Sequence, residues 1–99
     1  VMPKLTERIA AFDRDALIFK SLSSKAVALM QGEQEILRMN FPETPYLGIW
    51  SKSRVSPFVC IEPWFGLADH QDFAGELPEK EGICHLAPGE LFTCTHSVM

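Results

Sequence analysis

One carboxylate stands among apolar residues in the middle of this chain. Residues 57–69 read P-F-V-C-I-E-P-W-F-G-L-A-D, and the charged residue inside the apolar part is Glu62. Side chains alternate between the faces of a strand, so one face would carry Phe58, Cys60, Glu62 and Trp64. A carboxylate that has lost water loses part of what favours its ionised form, and such a group can take and return a proton. The indole adds a flat apolar surface of the kind that lines ligand pockets.

The same stretch permits a second interpretation, in which Glu62 does no chemistry. Proline lacks a backbone donor and is found at strand ends, bulges and edges, and Pro63 follows Glu62 directly. An edge strand can turn its carboxylate towards water, where it is simply hydrated. The residues alone leave both interpretations open.

The composition argues against several classes of protein. The 99 residues suit one small domain or a piece of a larger one, and a hydrophobic fraction of 46% is that of a globular chain. A net charge of −4 with scattered Lys and Arg argues against a nucleic-acid surface. No apolar run approaches the ~18 residues of a membrane helix. Three cysteines, an odd number, favour reduced thiols and a cytoplasmic location.

The apolar pattern predicts strands separated by polar turns. Two apolar arms, 25–30 and 35–39, flank Q-G-E-Q and indicate a β-hairpin, although the first arm also fits a helix. Residues 46–50 form a strand just before the Glu62 strand, so the two are expected to pair antiparallel. Gly48, between two aromatic residues of one face, is expected to leave room for something to approach the sheet.

The remaining segments add a weak helix and one more strand. Residues 5–11 have weak helical spacing, and residues 16–19 fit either a short helix or a strand. A loop-like stretch follows Gly66 and ends in a Pro-Gly turn before an alternating strand over residues 91–98. The prediction is therefore an all-β fold, an antiparallel β-sandwich with at most one short helix.

Cysteine and histidine residues raise the possibility of a metal site. The candidate ligands are C-H at 84–85, C-x-H at 94–96, D-H at 69–70 and Cys60. None of them has the C-x₂-C or H-x₃-H spacing that zinc sites favour. No metal site is predicted, because buried, unreactive thiols are the commoner outcome.

Five motifs together resemble the C-terminal part of aldose 1-epimerase (galactose mutarotase) family proteins, and especially the LacX-like branch. They are F-D-R-D-A-L-I-F, L-G-I-W-S, P-F-V-C-I-E-P-W-F-G-L-A-D, E-K-E-G-I and L-A-P-G-E-L-F. The likeness extends over nearly the whole chain, and the segment around Glu62 is its most specific part. It implies a β-sandwich much longer than this chain, with an open cleft across one sheet.

The resemblance also implies a reaction and roles for particular residues. The reaction interconverts the α and β anomers of a free aldose, such as a hexose, by ring opening and reclosure without a metal or an organic cofactor. Glu62 looks like the general base that takes the C1 hydroxyl proton. Asp15, in preference to Asp13, looks like the aspartate that hydrogen-bonds sugar hydroxyls. With a sugar as the substrate, Trp64 and Trp50 are candidates to contact its C–H faces, and packing in the core or at its rim is the alternative for both.

The same resemblance implies that the site is incomplete in this chain. The acid histidines of the family lie in an N-terminal portion, and none of His70, His85 and His96 matches them. We expect residues 1–99 to be a C-terminal fragment of one sandwich domain, inactive alone and completed by the remainder of the same polypeptide. A non-catalytic carbohydrate-binding β-sandwich domain is the alternative.

Overall fold

The computed structural model describes residues 16–53 and 55–99, and the regular secondary structure of this part of the chain is β apart from one 3₁₀ turn. Its elements are β1 (Leu17–Lys20), β2 (Ala26–Gln31), β3 (Gln34–Asn40), β4 (Tyr46–Trp50), β5 (Cys60–Trp64), a 3₁₀ turn (Leu77–Glu79) and β6 (Ser97–Val98). The predicted all-β, antiparallel fold is confirmed. The weak helix predicted over residues 5–11, and with it Asp13 and Asp15, lies outside the described residues.

Strands β2 and β3 form the predicted hairpin. Gln31 pairs with Gln34, and the turn between them places Gly32 at φ 61, where a side chain would be strained. Leu29 pairs with Leu37 and Met30 with Glu35, so Ile36 is the extra residue of a β-bulge in β3. The first arm is therefore a strand, and its helical alternative is excluded.

Strands β1, β4 and β5 form a second antiparallel sheet, in which β4 is central. The predicted pairing of the β4 and β5 segments is confirmed, with Gly48 opposite Glu62 and Ile49 opposite Ile61. Within the described ranges, β5 has no partner on its other side, so it is an edge strand there. Pro63 is compatible with this place, since an edge position does not require its missing N–H.

The core lies between the two sheets. Its buried apolar side chains are those of Val27, Phe41, Leu47 and Ile49. Leu47 and Ile49 lie on one face of β4, and Val27 of β2 comes from the other sheet. Since side chains alternate along β4, burying Leu47 and Ile49 turns the Gly48 face away from the core.

The final strand is much shorter than the alternating pattern predicted. Only Ser97 and Val98 form a strand, which pairs with the end of β3, and Arg38 and Met99 exchange two backbone hydrogen bonds of 2.9 and 2.8 Å. Residues 91–96 make no strand pairing within the described part of the chain, and Leu91 is 85% exposed. Alternation gives a strand two different faces, but a ladder also needs a neighbouring strand to pair with.

Candidate functional site

The face of the β1–β4–β5 sheet opposite the core carries two of the predicted site residues, Glu62 and Trp64. Directly paired residues of antiparallel strands share a face. The pairs Gly48–Glu62 and Tyr46–Trp64 therefore lie in adjacent rows of this face, which we call the Glu62 face. Ile18 extends the first row across β1. All the sheet's strands thus contribute to one surface around the carboxylate.

A hydrogen bond joins Glu62 to Trp64. The indole Nε1–H of Trp64 donates to Oε2 of Glu62 at 3.1 Å, and both residues are half-buried. The two residues are i and i+2 on one strand, so their side chains leave the backbone in the same direction. A hydrogen bond to an ionised acceptor is stronger than a neutral one and fixes the orientation of the carboxylate.

The indole of Trp64 lies directly over Gly48. A Cβ built on Gly48 would lie 2.7 Å from Cζ2 and 2.9 Å from Cε2 of the indole. The space left by the missing side chain of Gly48 is therefore filled by the chain's own tryptophan. The expectation that Gly48 leaves room for something to approach the sheet is confirmed, and the approaching group is the indole of Trp64.

Two further aromatic residues lie at the opposite end of the β4–β5 pair. The rings of Trp50 and Phe58 are 6.0 Å apart at an interplanar angle of 51°. Phe58 precedes β5, and its carbonyl accepts a 2.8 Å hydrogen bond from the buried hydroxyl of Ser51. Ser51 thus fixes the loop between the strands, and Trp50 packs against that loop.

The segment after β5 forms a wall beside the Glu62 face. Gly82 lies so close to Tyr46 that its Cβ would be 3.0 Å from the ring. Lys20 on β1 donates to Oε2 of Glu81 at 2.9 Å, and Nε2 of His70 lies 3.3 Å from the same oxygen. The hydrogen bond from Lys20 is the main reason why the pKa of the Glu81 carboxyl is below its ordinary value. These contacts hold the loop against the sheet.

Two open hollows adjoin the Glu62 face. The larger, of about 490 Å³, is lined by residues 63–68 and includes Trp64. The smaller, of about 280 Å³, lies between β1 and residues 67–71 and is bounded by Lys20 and Glu81. The larger hollow lies within the range of about 300–1,000 Å³ typical of small-molecule sites and the smaller just below it, and both are open to solvent. Glu62 lies beside these hollows rather than in their lining, and Trp64 connects the carboxylate to the larger one.

The structure brings together two of the residues predicted to act on a sugar. Glu62 and Trp64 are in direct contact, whereas Asp15 lies outside the described residues. His70 is exposed and pairs with Glu81, and His85 and His96 are exposed on the later segment. Sequence reasoning missed the Lys20–Glu81 pair, because residues 61 positions apart leave no local signal.

The described residues also bear on the metal and membrane predictions. No group of three or more His, Cys, Asp or Glu residues in this part of the chain could hold a metal ion. Cys60, Cys84 and Cys94 are all free thiols. Within the same ranges, no helix is long and apolar enough to cross a membrane.

The fold and the site together describe a two-sheet β protein with a carboxylate and an indole on the open face of one sheet. The chain is similar to the chromosomal Protein LacX of Lactococcus lactis subsp. lactis, with 33% identity over 78 residues. It is likewise similar to the plasmid Protein LacX of that organism, with 32% identity over 78 residues. The predicted likeness to LacX is therefore confirmed.

The aligned region is a large share of this chain but a small share of each relative. In both cases it includes 78% of this chain but only 26% of the relative, so the chain spans about a quarter of the length of the curated relatives it matches. No protein-family model matches the chain. No solved structure matches it either.

Proposed function

We propose that this chain forms part of an aldose 1-epimerase-like isomerase, in which Glu62 is the general base. The observation that carries the proposal is the hydrogen bond between Trp64 and Glu62 on the open face of the sheet. It presents an oriented carboxylate next to an aromatic surface and a hollow of about 490 Å³. The likeness to LacX and the motif around Glu62 support a carbohydrate substrate.

In this proposal Glu62 takes one proton from the sugar when the ring opens and returns it when the ring closes. Its carboxylate takes the proton of the C1 hydroxyl while an acid protonates the ring oxygen, so the C1–O5 bond breaks and an open-chain aldehyde forms. Rotation about the C1–C2 bond presents the other face of the carbonyl. Reclosure returns the proton from Glu62 to the C1 oxygen and the other proton to its acid. General acid–base catalysis of this kind contributes about 10²–10⁴-fold to a rate.

The acid of this reaction is expected to come from outside residues 1–99. His70 is engaged with Glu81, and His85 and His96 are exposed residues outside the strands of the Glu62 sheet. The chain is then the C-terminal portion of a single sandwich domain, and the rest of the same polypeptide completes the site. The exposed apolar residues of the chain, such as Leu91, favour such a completion.

The proposed substrate is a free hexose, with no metal or organic cofactor and with the enzyme in the cytoplasm. The apolar ring of Trp64 suits the C–H face of a sugar, and its half-buried position keeps part of the ring available. Asp15 is proposed to accept hydrogen bonds from sugar hydroxyls. Because Trp64 also holds Glu62, the same side chain would join binding to catalysis.

The decisive experiment is Glu62→Gln in the complete polypeptide, with mutarotation of glucose and galactose followed by polarimetry. The amide keeps the shape of the side chain but cannot act as a base, so we expect kcat to fall by about 10²–10⁴-fold. Glu33→Gln, on the exposed hairpin turn far along the chain from the site, is the matched control and should leave the rate unchanged. Unchanged kcat in Glu62→Gln would refute the proposed role, and full-rate mutarotation by residues 1–99 alone would refute the half-site.

A non-catalytic carbohydrate-binding domain is the second candidate, and the indole favours it. An aromatic ring beside a carboxylate can bind the C–H face and the hydroxyls of a sugar without any proton transfer. In that case Glu62→Gln weakens sugar binding, measured by calorimetry, while the rate of anomer exchange is the same with the wild type and with Glu62→Gln. The two candidates are thus separated by one substitution.

A further inference from the structure

Gly48 lies opposite Glu62 on the neighbouring strand, beneath the indole of Trp64. A Cβ at this position would be 2.7 Å from Cζ2, 2.9 Å from Cε2 and 3.1 Å from Cη2 of that ring. Real Cβ atoms essentially never approach other heavy atoms to less than 3.0 Å. Any residue other than glycine would therefore push the indole away from the sheet or β4 away from β5.

The backbone of Gly48 supplies no other reason for glycine. Gly32, Gly82 and Gly89 are the described glycines with positive φ, so Gly48 has a conformation that any residue can adopt. It lies inside a regular strand with continuous pairing on both sides. Glycine weakens a strand interior because it has no side chain to pack, and it often marks a close approach to the backbone. Here the close approach is that of Trp64.

The atoms that a side chain at position 48 would strike adjoin the donor of the Glu62 hydrogen bond. Cε2 is covalently bonded to Nε1, the nitrogen that donates to Oε2 of Glu62 at 3.1 Å. N–H···O hydrogen bonds occupy about 2.7–3.2 Å, so this bond is already close to its upper limit. Moving the ring by a few tenths of an ångström is enough to weaken it.

We infer that Gly48 is a positioning residue for Glu62, because its missing side chain seats Trp64 where the indole N–H orients the carboxylate. The catalytic consequence rests on the proposed function, whereas the link between Gly48, Trp64 and Glu62 does not. A hydrogen bond to a charged acceptor is worth a factor of about 10 or more. We expect Gly48→Ala to lower kcat by about tenfold, with less effect on KM, because the carboxylate is misoriented in the reacting complex.

The link can be measured in the complete polypeptide by nuclear magnetic resonance, without an activity assay. In the wild type, the Nε1–H signal of Trp64, identified by its loss in Trp64→Phe, should shift as the Glu62 carboxyl is titrated, and Glu62→Gln should abolish that shift. Gly48→Ala should abolish it as well. The matched control is Gly66→Ala, because a Cβ there meets no atom within 4 Å and the signal should still follow the titration.

Activity in the complete polypeptide then tests the positioning role. Trp64→Phe leaves Gly48 in place but removes the donor, so it should lower kcat as much as Gly48→Ala does. In the double variant Gly48→Ala with Trp64→Phe the two losses should not multiply, since both remove the same hydrogen bond. Trp64→Phe also keeps the test decisive if Gly48→Ala fails to fold, because a wild-type kcat in Trp64→Phe overturns the inference.

The outcomes distinguish this inference from the proposed function. A Trp64 signal that still follows Glu62 in folded Gly48→Ala, or losses that multiply, overturns the positioning role. The third outcome is that Gly48→Ala abolishes the titration-dependent shift of the Trp64 signal while Glu62→Gln leaves mutarotation unchanged. This result would support the structural link and refute the proposed reaction.

Discussion

The assignment of one face of β4 to the core and the other to the site predicts unequal costs for two similar truncations. Leu47 is 0% exposed, and Leu47→Ala removes three carbons worth about 2.4 kcal/mol of transfer free energy. The cavity left behind brings the expected loss of unfolding free energy to about 3 kcal/mol. Ile18, on the Glu62 face, is 48% exposed, so Ile18→Ala should cost only about 1 kcal/mol for the same three carbons.

Urea unfolding followed by circular dichroism measures the difference. With a slope of about 1.5 kcal/mol per molar urea, Leu47→Ala should lower the unfolding midpoint by about 2 M and Ile18→Ala by less than about 1 M. The slope itself should be the same in both variants if they unfold in the same way. Equal losses would contradict the assignment of the two faces, and a larger loss in Ile18→Ala would mean that the faces are reversed and that Glu62 does not lie on the open side.

Two further predictions concern the loop wall and the hairpin turn. Because Lys20 lowers the pKa of Glu81 below its ordinary value, the pair should stabilise the fold above that value and cease to do so as pH falls through the folded pKa. The difference in unfolding free energy between wild type and Glu81→Gln should therefore be present at neutral pH and vanish in acid. A difference that grows in acid would contradict the lowered pKa of Glu81. Gly32→Ala places a Cβ at φ 61 and should cost about 1 kcal/mol in thermal unfolding, whereas Gly66→Ala should cost nothing comparable.

Much of the site's layout could be predicted from residues that are near one another in sequence. The alternation around Glu62 predicts that Trp64 leaves the strand on the same side, and the short polar loop predicts pairing with β4. Both follow from the period of two in a strand, which neighbouring residues carry without help from the rest of the fold. The role of Gly48 could not be read in the same way, because the indole that covers it comes from another strand.

The later part of the chain shows where local patterns end. Residues 91–96 alternate as a strand does, but they pair with no strand in the part of the chain that the structure describes. Within the segment 91–98, only Ser97 and Val98 pair with β3. A side-chain pattern records which faces a segment would have, but not whether another strand lies beside it. Hydrogen-bonded ladders depend on that second condition.

The sequence by itself determined the β class, the hairpin at Gly32, the shared face of Glu62 and Trp64, and the likeness to LacX. The tertiary structure alone decided that Trp64 lies on Gly48, that Glu81 reaches Lys20, and that Leu47 rather than Ile18 is buried. The physical reason is the range of the interactions. Strand periodicity and turn geometry act between neighbours, whereas packing and ion pairs join residues that only the folded chain brings together.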